Sequence, residues 1–477
     1  MQAVKRLKFK NKKEVNMLSG SIMKGVLSIA IPIMLMNVLQ SLFNIIDMSI
    51  LKIYDTDGGY SVGAVGACGT LFSFITGLAI GIAAGANVVI ARYIGKGDKE
   101  GVDKAVGTAL VFSVVIGVFL LIIGVSFAEF FLGLVNCPTK FFDKAVLYFR
   151  LYFLGIPLGM FSNFGAAILR SAGDAKRPMI YSIIGGVVKV ALTFLLVGVF
   201  KMEIVGVSIA TISTWIITSV LKAITLIRDG GIVNVNFKTL RIYKKQLKEM
   251  LIIGVPAGLQ QALYSIANLV IAGAVNSYGT DEITRANAST GVSIANNFDG
   301  ILYQIATAPA LAVMPYVSQN IGAKNMKRAK KSILTGMLIT LILGGGLGAL
   351  SALFSAQLSS IMTSNPEVIK FSQQKMILVS STYFICGINE ILGAGLKGMG
   401  KSIIPMVATM IFMCAIRFPW VYLVYPLCPN LTFLYTIWPI GWLLSIITLL
   451  CFLIPTIKKL NQKFNEEMKA TEIANEN

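Results

Sequence analysis

Long apolar stretches separated by short, mostly basic turns run through the chain from end to end. A run of about 18 or more residues with little charge can cross roughly 30 Å of hydrocarbon as a helix. Twelve such runs occur, near residues 25 to 51, 60 to 91, 105 to 128, 145 to 169, 178 to 200, 204 to 227, 249 to 278, 287 to 318, 332 to 354, 372 to 396, 402 to 425 and 431 to 457. The pattern predicts an all-α integral membrane protein with twelve transmembrane helices.

Composition and charge sharpen this picture. Of the 477 residues, 55% are hydrophobic and 13% charged, and the mean hydropathy is +0.75, far outside the soluble range. The net charge of +20 would suit a nucleic-acid partner only on a soluble basic face. Here the Lys and Arg lie between apolar runs, so a lipid bilayer is the expected partner and nucleic acid is not. About 31 of the 42 basic residues fall at the two termini and in the loops after even-numbered runs. The positive-inside rule then places both termini in the cytoplasm of an inner or plasma membrane. The opening MQAVKRLKFKNKKEV shows no cleavable signal before the first apolar run.

The chain also repeats itself. LRSAGDAKRPM, from Leu169 to Met179, and LKGMGKSIIPM, from Leu396 to Met406, share a basic residue, a Gly and a Pro-Met pair at an offset of 227. IARYIGKGD and VSQNIGAKN, at the ends of runs 2 and 8, keep that offset. Six helices per half make the repeat parallel, with a pseudo-twofold axis along the membrane normal, as in transporters. The expected divisions are a cytoplasmic N-terminus (1–24), an N-lobe of helices 1 to 6 (25–227), a cytoplasmic linker (228–248), a C-lobe of helices 7 to 12 (249–457) and a cytoplasmic tail (458–477).

Polar residues inside the apolar runs carry the candidate chemistry. Asn37, Gln40, Asn44 and Asp47 are spaced by three, four and three residues, one stripe along helix 1. At an offset of 224 the second half repeats it with Gln261, Tyr264 and Asn268, while Ile271 stands where Asp47 would be. An Asn or Gln can serve merely to bond neighbouring helices. An aspartate in hydrocarbon costs on the order of 3 kcal/mol and points to function.

Six segments in order resemble the multidrug and toxic compound extrusion (MATE) transporters: AIPIMLMNVLQSLFNIIDMSIL, GLAIGIAAGANVVIARYIGKGD, AAILRSAGDAKRPMI, GVPAGLQQALYSIANLV, SQNIGAKN and IRFPWVYL. The resemblance covers nearly the whole chain. It implies a V-shaped fold of two six-helix lobes that exports drugs and organic cations against an inward flow of protons or sodium. Gln260 and Gln261 after Pro256 look more like the DNA-damage-inducible branch than the sodium-coupled one, whose glutamate would fall near Tyr264. It also matches Asp47 to the helix 1 aspartate that this branch is thought to protonate.

Helix 5 departs from the family, which places an asparagine at 189 and an aspartate at 193, where this chain has Lys189 and Thr193. Lys189 is the expected counter-ion of Asp47, in a pairing that leans on the resemblance, because counted helix rise puts Asp47 well above it. Such a site has already neutralised the charge that would attract sodium, so protons are favoured. The C-lobe holds Asp299, Glu390 and Arg417 in its apolar runs, and Arg417 is expected to pair with Glu390 or Asp299. Glu390 corresponds to Asn163 at the 227 offset, so each lobe projects a polar residue before its basic turn. Lys189 and Arg417 are read as the only cations deep in the membrane.

No histidine is present, which removes the commonest relay, ligand and base; no metal, cofactor or enzyme is expected. Cys137 and Cys428, one in an external loop of each lobe, are expected to be free. The chain reads as a monomeric proton antiporter for a small-molecule drug or organic cation, with Asp47 and Asn44 beside Lys189 as the ion-coupling group. The cavity residues would be Asn37, Gln40, Asn163, Gln260, Gln261, Tyr264, Asn268, Asp299, Glu390 and Arg417. The alternatives are a sodium antiporter of the same fold and a flippase for a lipid-linked precursor.

Overall fold

The structure, a computed structural model, describes residues 15–54, 59–135, 137–229, 231–279 and 281–476. Among these every regular element is helical. Twelve long helices follow the twelve apolar runs: α1 (Ile22–Tyr54), α2 (Tyr60–Lys96), α3 (Lys99–Ser126), α4 (Thr139–Ser171), α5 (Lys176–Val199), α6 (Glu203–Arg228), α7 (Lys244–Asn276), α8 (Glu282–Gly322), α9 (Met326–Leu353), α10 (Pro366–Gly398), α11 (Ile403–Leu427) and α12 (Leu431–Glu467). Eleven are long and apolar enough to cross a membrane, and α7 matches them with 33 residues. Most outrun their apolar runs by polar turns, whose open backbone groups water or head groups can serve. Residues 1–14 of the expected N-terminus lie outside the described residues; the expected tail continues the last helix to Glu476.

Two compact units divide the chain, residues 1–16 with 31–262 and residues 17–30 with 263–477. The division falls inside α1 and α7, whereas the expected linker at 228–248 lies wholly in the first unit. Glycine explains α7. Gly77, Gly81 and Gly85 recur every fourth residue on α2, opposite Gly254 and Gly258 of α7. A Cβ on Gly81 would run into the Gly258 backbone, and one on Gly85 into the carbonyl of Met250 and the backbone of Gly254. In lipid, helix association depends on close packing and not on apolar burial, so this crossing fastens the first half of α7 to α2.

The rest of the first unit packs α4 between α2, α3 and α6. Here Phe72 stacks on Tyr152 with centroids 3.7 Å apart, and Phe149 and Phe153 extend the aromatic layer. In the second unit α8, α9 and α10 form the centre. The GGGLG run at 344–348, expected to permit close packing, does so at Gly348, where a Cβ would meet the Ser380 carbonyl of α10. Two helices carry π turns, α5 at Phe194–Val199 and α11 at Met410–Ala415 and Trp420–Val424. Pro419 has no N–H for the carbonyl of Ala415, which releases α11 from regular bonding there.

Candidate functional site

In the first unit α1 and α5 meet where Gly186 leaves space for the Phe43 ring; a Cβ at Gly186 would strike it. One turn further along each helix, Lys189 and Asp47 form an ion pair with Nζ 2.6 Å from Oδ2. Thr193, one more turn along α5, donates to Asp47 Oδ1 at 2.9 Å, and Lys189 also donates to Asn44 Oδ1 at 3.0 Å. Asp47 is 3% exposed. The rise mismatch resolves in the unit boundary. Asp47 lies 16 residues beyond Ile31, where α1 enters the first unit, and Lys189 lies 13 beyond the start of α5. Thr193 stands where the family pattern has an aspartate, so the cluster holds one carboxylate, one ammonium and two neutral polar groups.

The other stripe residues scatter. Gln40 is exposed and Asn37 partly so, and neither joins the Asp47 network. Gln260 and Gln261 belong to the first unit, with Gln260 buried and Gln261 packed against Gly77. Tyr264 and Asn268 belong to the second. Asn163 donates to its own helix, to the carbonyl of Gly159 at 3.1 Å.

The second unit corrects the expected pairing of Arg417. Its guanidinium donates to Asn268 Oδ1 at 2.9 Å and lies 5.2 Å from the Trp438 ring centre, while Glu390 accepts from the Tyr264 hydroxyl at 2.8 Å. Asp299 pairs with Lys375, Nζ to Oδ2 2.9 Å, and accepts from Ser380 Oγ at 2.8 Å. Lys375 also donates to Asn296. Lysine wins Asp299 because α8 packs along α10, which carries Lys375, and Arg417 on α11 faces α7 instead. The reading of Lys189 and Arg417 as the only deep cations is likewise corrected, since Lys222 and Lys375 are buried within α6 and α10. Both sit a few turns from a helix end, where a basic residue reads as part of the loop. The spacing Asn-x-x-Asp, shared by residues 44–47 and 296–299, was the signal for the second cluster.

The two polar positions of α1 and α7 are therefore parallel in one respect. Asn44 accepts from a cation on α5, and Asn268 accepts from a cation on α11. Only the first unit adds a carboxylate, because Ile271 replaces it in the second.

Comparison with known proteins places this geometry. A family model described as MatE matches residues 32–195 and again 256–423, two copies whose starts are 224 residues apart, the offset of the polar stripes. The probable multidrug resistance protein YoeA of Bacillus subtilis is 28% identical over 84% of this chain and 86% of its own length. A FAD transporter of Shewanella oneidensis is 24% identical over 82% of this chain and 86% of its own. The outward-facing structure of a multidrug resistance MATE transporter superposes with a TM-score of 0.86 at 22% identity, over 95% of this chain and all of that one. At that identity the likeness establishes the twelve-helix, two-lobe fold.

Proposed function

Since this chain belongs to the MATE family of multi-pass membrane transporters, and is an efflux transporter and not an enzyme, we propose that it exchanges its substrate for protons at Asp47. The observation that carries the reading is the buried ion pair of Asp47 with Lys189. A carboxylate already neutralised by an ammonium offers little to a sodium ion, which seeks several anionic or carbonyl oxygens, whereas a proton needs one oxygen. The family resemblance of Asp47 and the basic loops that put both termini in the cytoplasm support the same reading.

The cycle follows from the contacts. A proton on Asp47 removes the charge that holds Lys189 and weakens the Thr193 bond, so α1 and α5 lose their polar link. Helix α1, already interrupted by Pro32, then repacks and lowers the affinity of the lobe for substrate. Proton and substrate that oppose each other in this way do so reciprocally. The relatives' names range from drugs to FAD, and the reading claims a small amphipathic solute and no single compound.

The test is transport by the purified chain in liposomes given first a pH gradient and then a sodium gradient. Export driven by the pH gradient alone is expected. Export driven by sodium at constant pH would sink the proton reading.

A further inference from the structure

The first unit buries cations that no carboxylate answers. Lys222 of α6 is 4% exposed, and its Nζ donates to Ser162 Oγ of α4 at 2.5 Å, which is bonded in turn to Thr218 Oγ1 at 3.1 Å. The methylene stem of Lys222 packs along α4 at Gly165. Arg170, in the last turn of α4, lies within electrostatic reach of Lys222, and among the described residues no carboxylate acts on either. The acid nearest in sequence, Asp174, is taken by Arg177.

The duplicated half shows what the fold requires at these places. Trp215 and Trp442 mark a common register in α6 and α12 at the offset of 227. In that register Lys222 corresponds to Leu449, Arg170 to Lys397 and Asn163 to Glu390. The second unit thus has one cation and a carboxylate two turns from it, with a buried leucine in the third place. The first unit has two cations and an amide. Packing alone is satisfied by leucine, so the second ammonium in the first unit needs another reason.

Access supplies one. Asn163 and Arg170 are partly exposed, while residues 164–169 between them are all buried. Seven residues are two turns, roughly 10 Å, so both side chains leave α4 on one face. We infer that this face of α4, backed by Lys222, accepts the anionic group, carboxylate or phosphate, of an amphipathic substrate. An unpaired buried cation is costly, and an arriving anion removes the cost through charge-assisted bonds to Arg170 and Lys222. Asn163 then offers an amide to the neutral part of the molecule. The inference rests on the export reading and narrows the class of substrate.

Two xanthene dyes of similar size and opposite charge make the test, anionic fluorescein and cationic rhodamine 123, with binding to the full chain in a neutral detergent read by fluorescence anisotropy. The parent is expected to bind fluorescein, and Lys222→Gln and Arg170→Gln to weaken it about tenfold or more while rhodamine 123 changes less than about twofold. Lys222→Met guards against misfolding, since removal of an unpaired buried charge should raise the Tm while fluorescein binding is lost. Competition by phosphatidylglycerol vesicles, and not by phosphatidylcholine vesicles, would assign the anion to a lipid head group; without competition, fluorescein stands for a free solute. Absence of fluorescein binding by the parent, or equal weakening of both dyes, overturns the inference. Selective binding of fluorescein by a parent that exports neither dye would leave the anion site standing and sink the export reading.

Discussion

The Asp47 and Asp299 clusters are made of the same parts and differ in one property. Each has an Asn-x-x-Asp helix, a lysine that bridges the aspartate and the asparagine, and a hydroxyl on the aspartate's other oxygen. They are not copies of each other. At the duplication offsets Asp47 falls on Ile271, Asp299 on Phe72 and Lys375 on Tyr148, and in the first unit those last two are members of the aromatic layer. The difference lies in access. The Lys189 side chain is 13% exposed beside an exposed Asn44, whereas that of Lys375 is 4% exposed and lies over the Trp438 ring. A charge pair that water can reach can exchange its proton; a sealed one is a strut.

That contrast can be broken experimentally, beginning with the largest effect. Lys375→Met should destabilise the protein by about 3–5 kcal/mol, because Asp299 is left charged without water or partner. Adding Asp299→Asn should restore most of the loss in a thermal unfolding assay. A single variant as stable as the parent would show that the second cluster is not a strut. Asp47→Asn should abolish pH-driven export while costing only about 1 kcal/mol of stability, since Lys189 can hydrate. Export at the parental rate would return Asp47 to a structural role.

Lys189→Ala should have a conditional effect. A buried carboxyl without its ammonium keeps its proton at neutral pH, so export should fall there severalfold and recover as the external pH is raised. A loss that is flat with pH would separate the two residues. Smallest of all, Asn44→Ala and Asn296→Ala each remove one hydrogen bond and should cost about 1 kcal/mol, with only Asn44→Ala shifting the pH profile of export. Equal shifts from both would erase the distinction between the clusters.

Much of this was legible from the chain. Apolar run length fixes each span because nothing but a helix or a closed barrel satisfies its backbone in lipid. Asp47 and Lys189 stood out because each is the single charge of a long apolar run. Asp299 stood out as well, but its partner did not, because Lys375 sits close to the start of its span and Lys222 close to the end of its own. Which of several buried cations a carboxylate takes depends on helix neighbours and rotation, and run lengths carry neither. The division inside α7 was hidden for a related reason. GVPAG looks apolar like its surroundings, and only the opposing glycines of α2 give it a partner.

The π turns hold a record of descent. A π turn carries one residue more than an α turn, so it marks an insertion that the helix has absorbed. Phe194–Val199, moved by 227, overlaps Trp420–Val424, so one extra residue is shared by the two halves and predates the duplication that made them. Met410–Ala415 overlaps no π turn of α5 and arose afterwards, in one copy alone. The younger insertion lies directly before Arg417. By the order of those two events, the halves had one ancestral helix in common before a later change of phase gave the second copy its own way of aiming a buried cation.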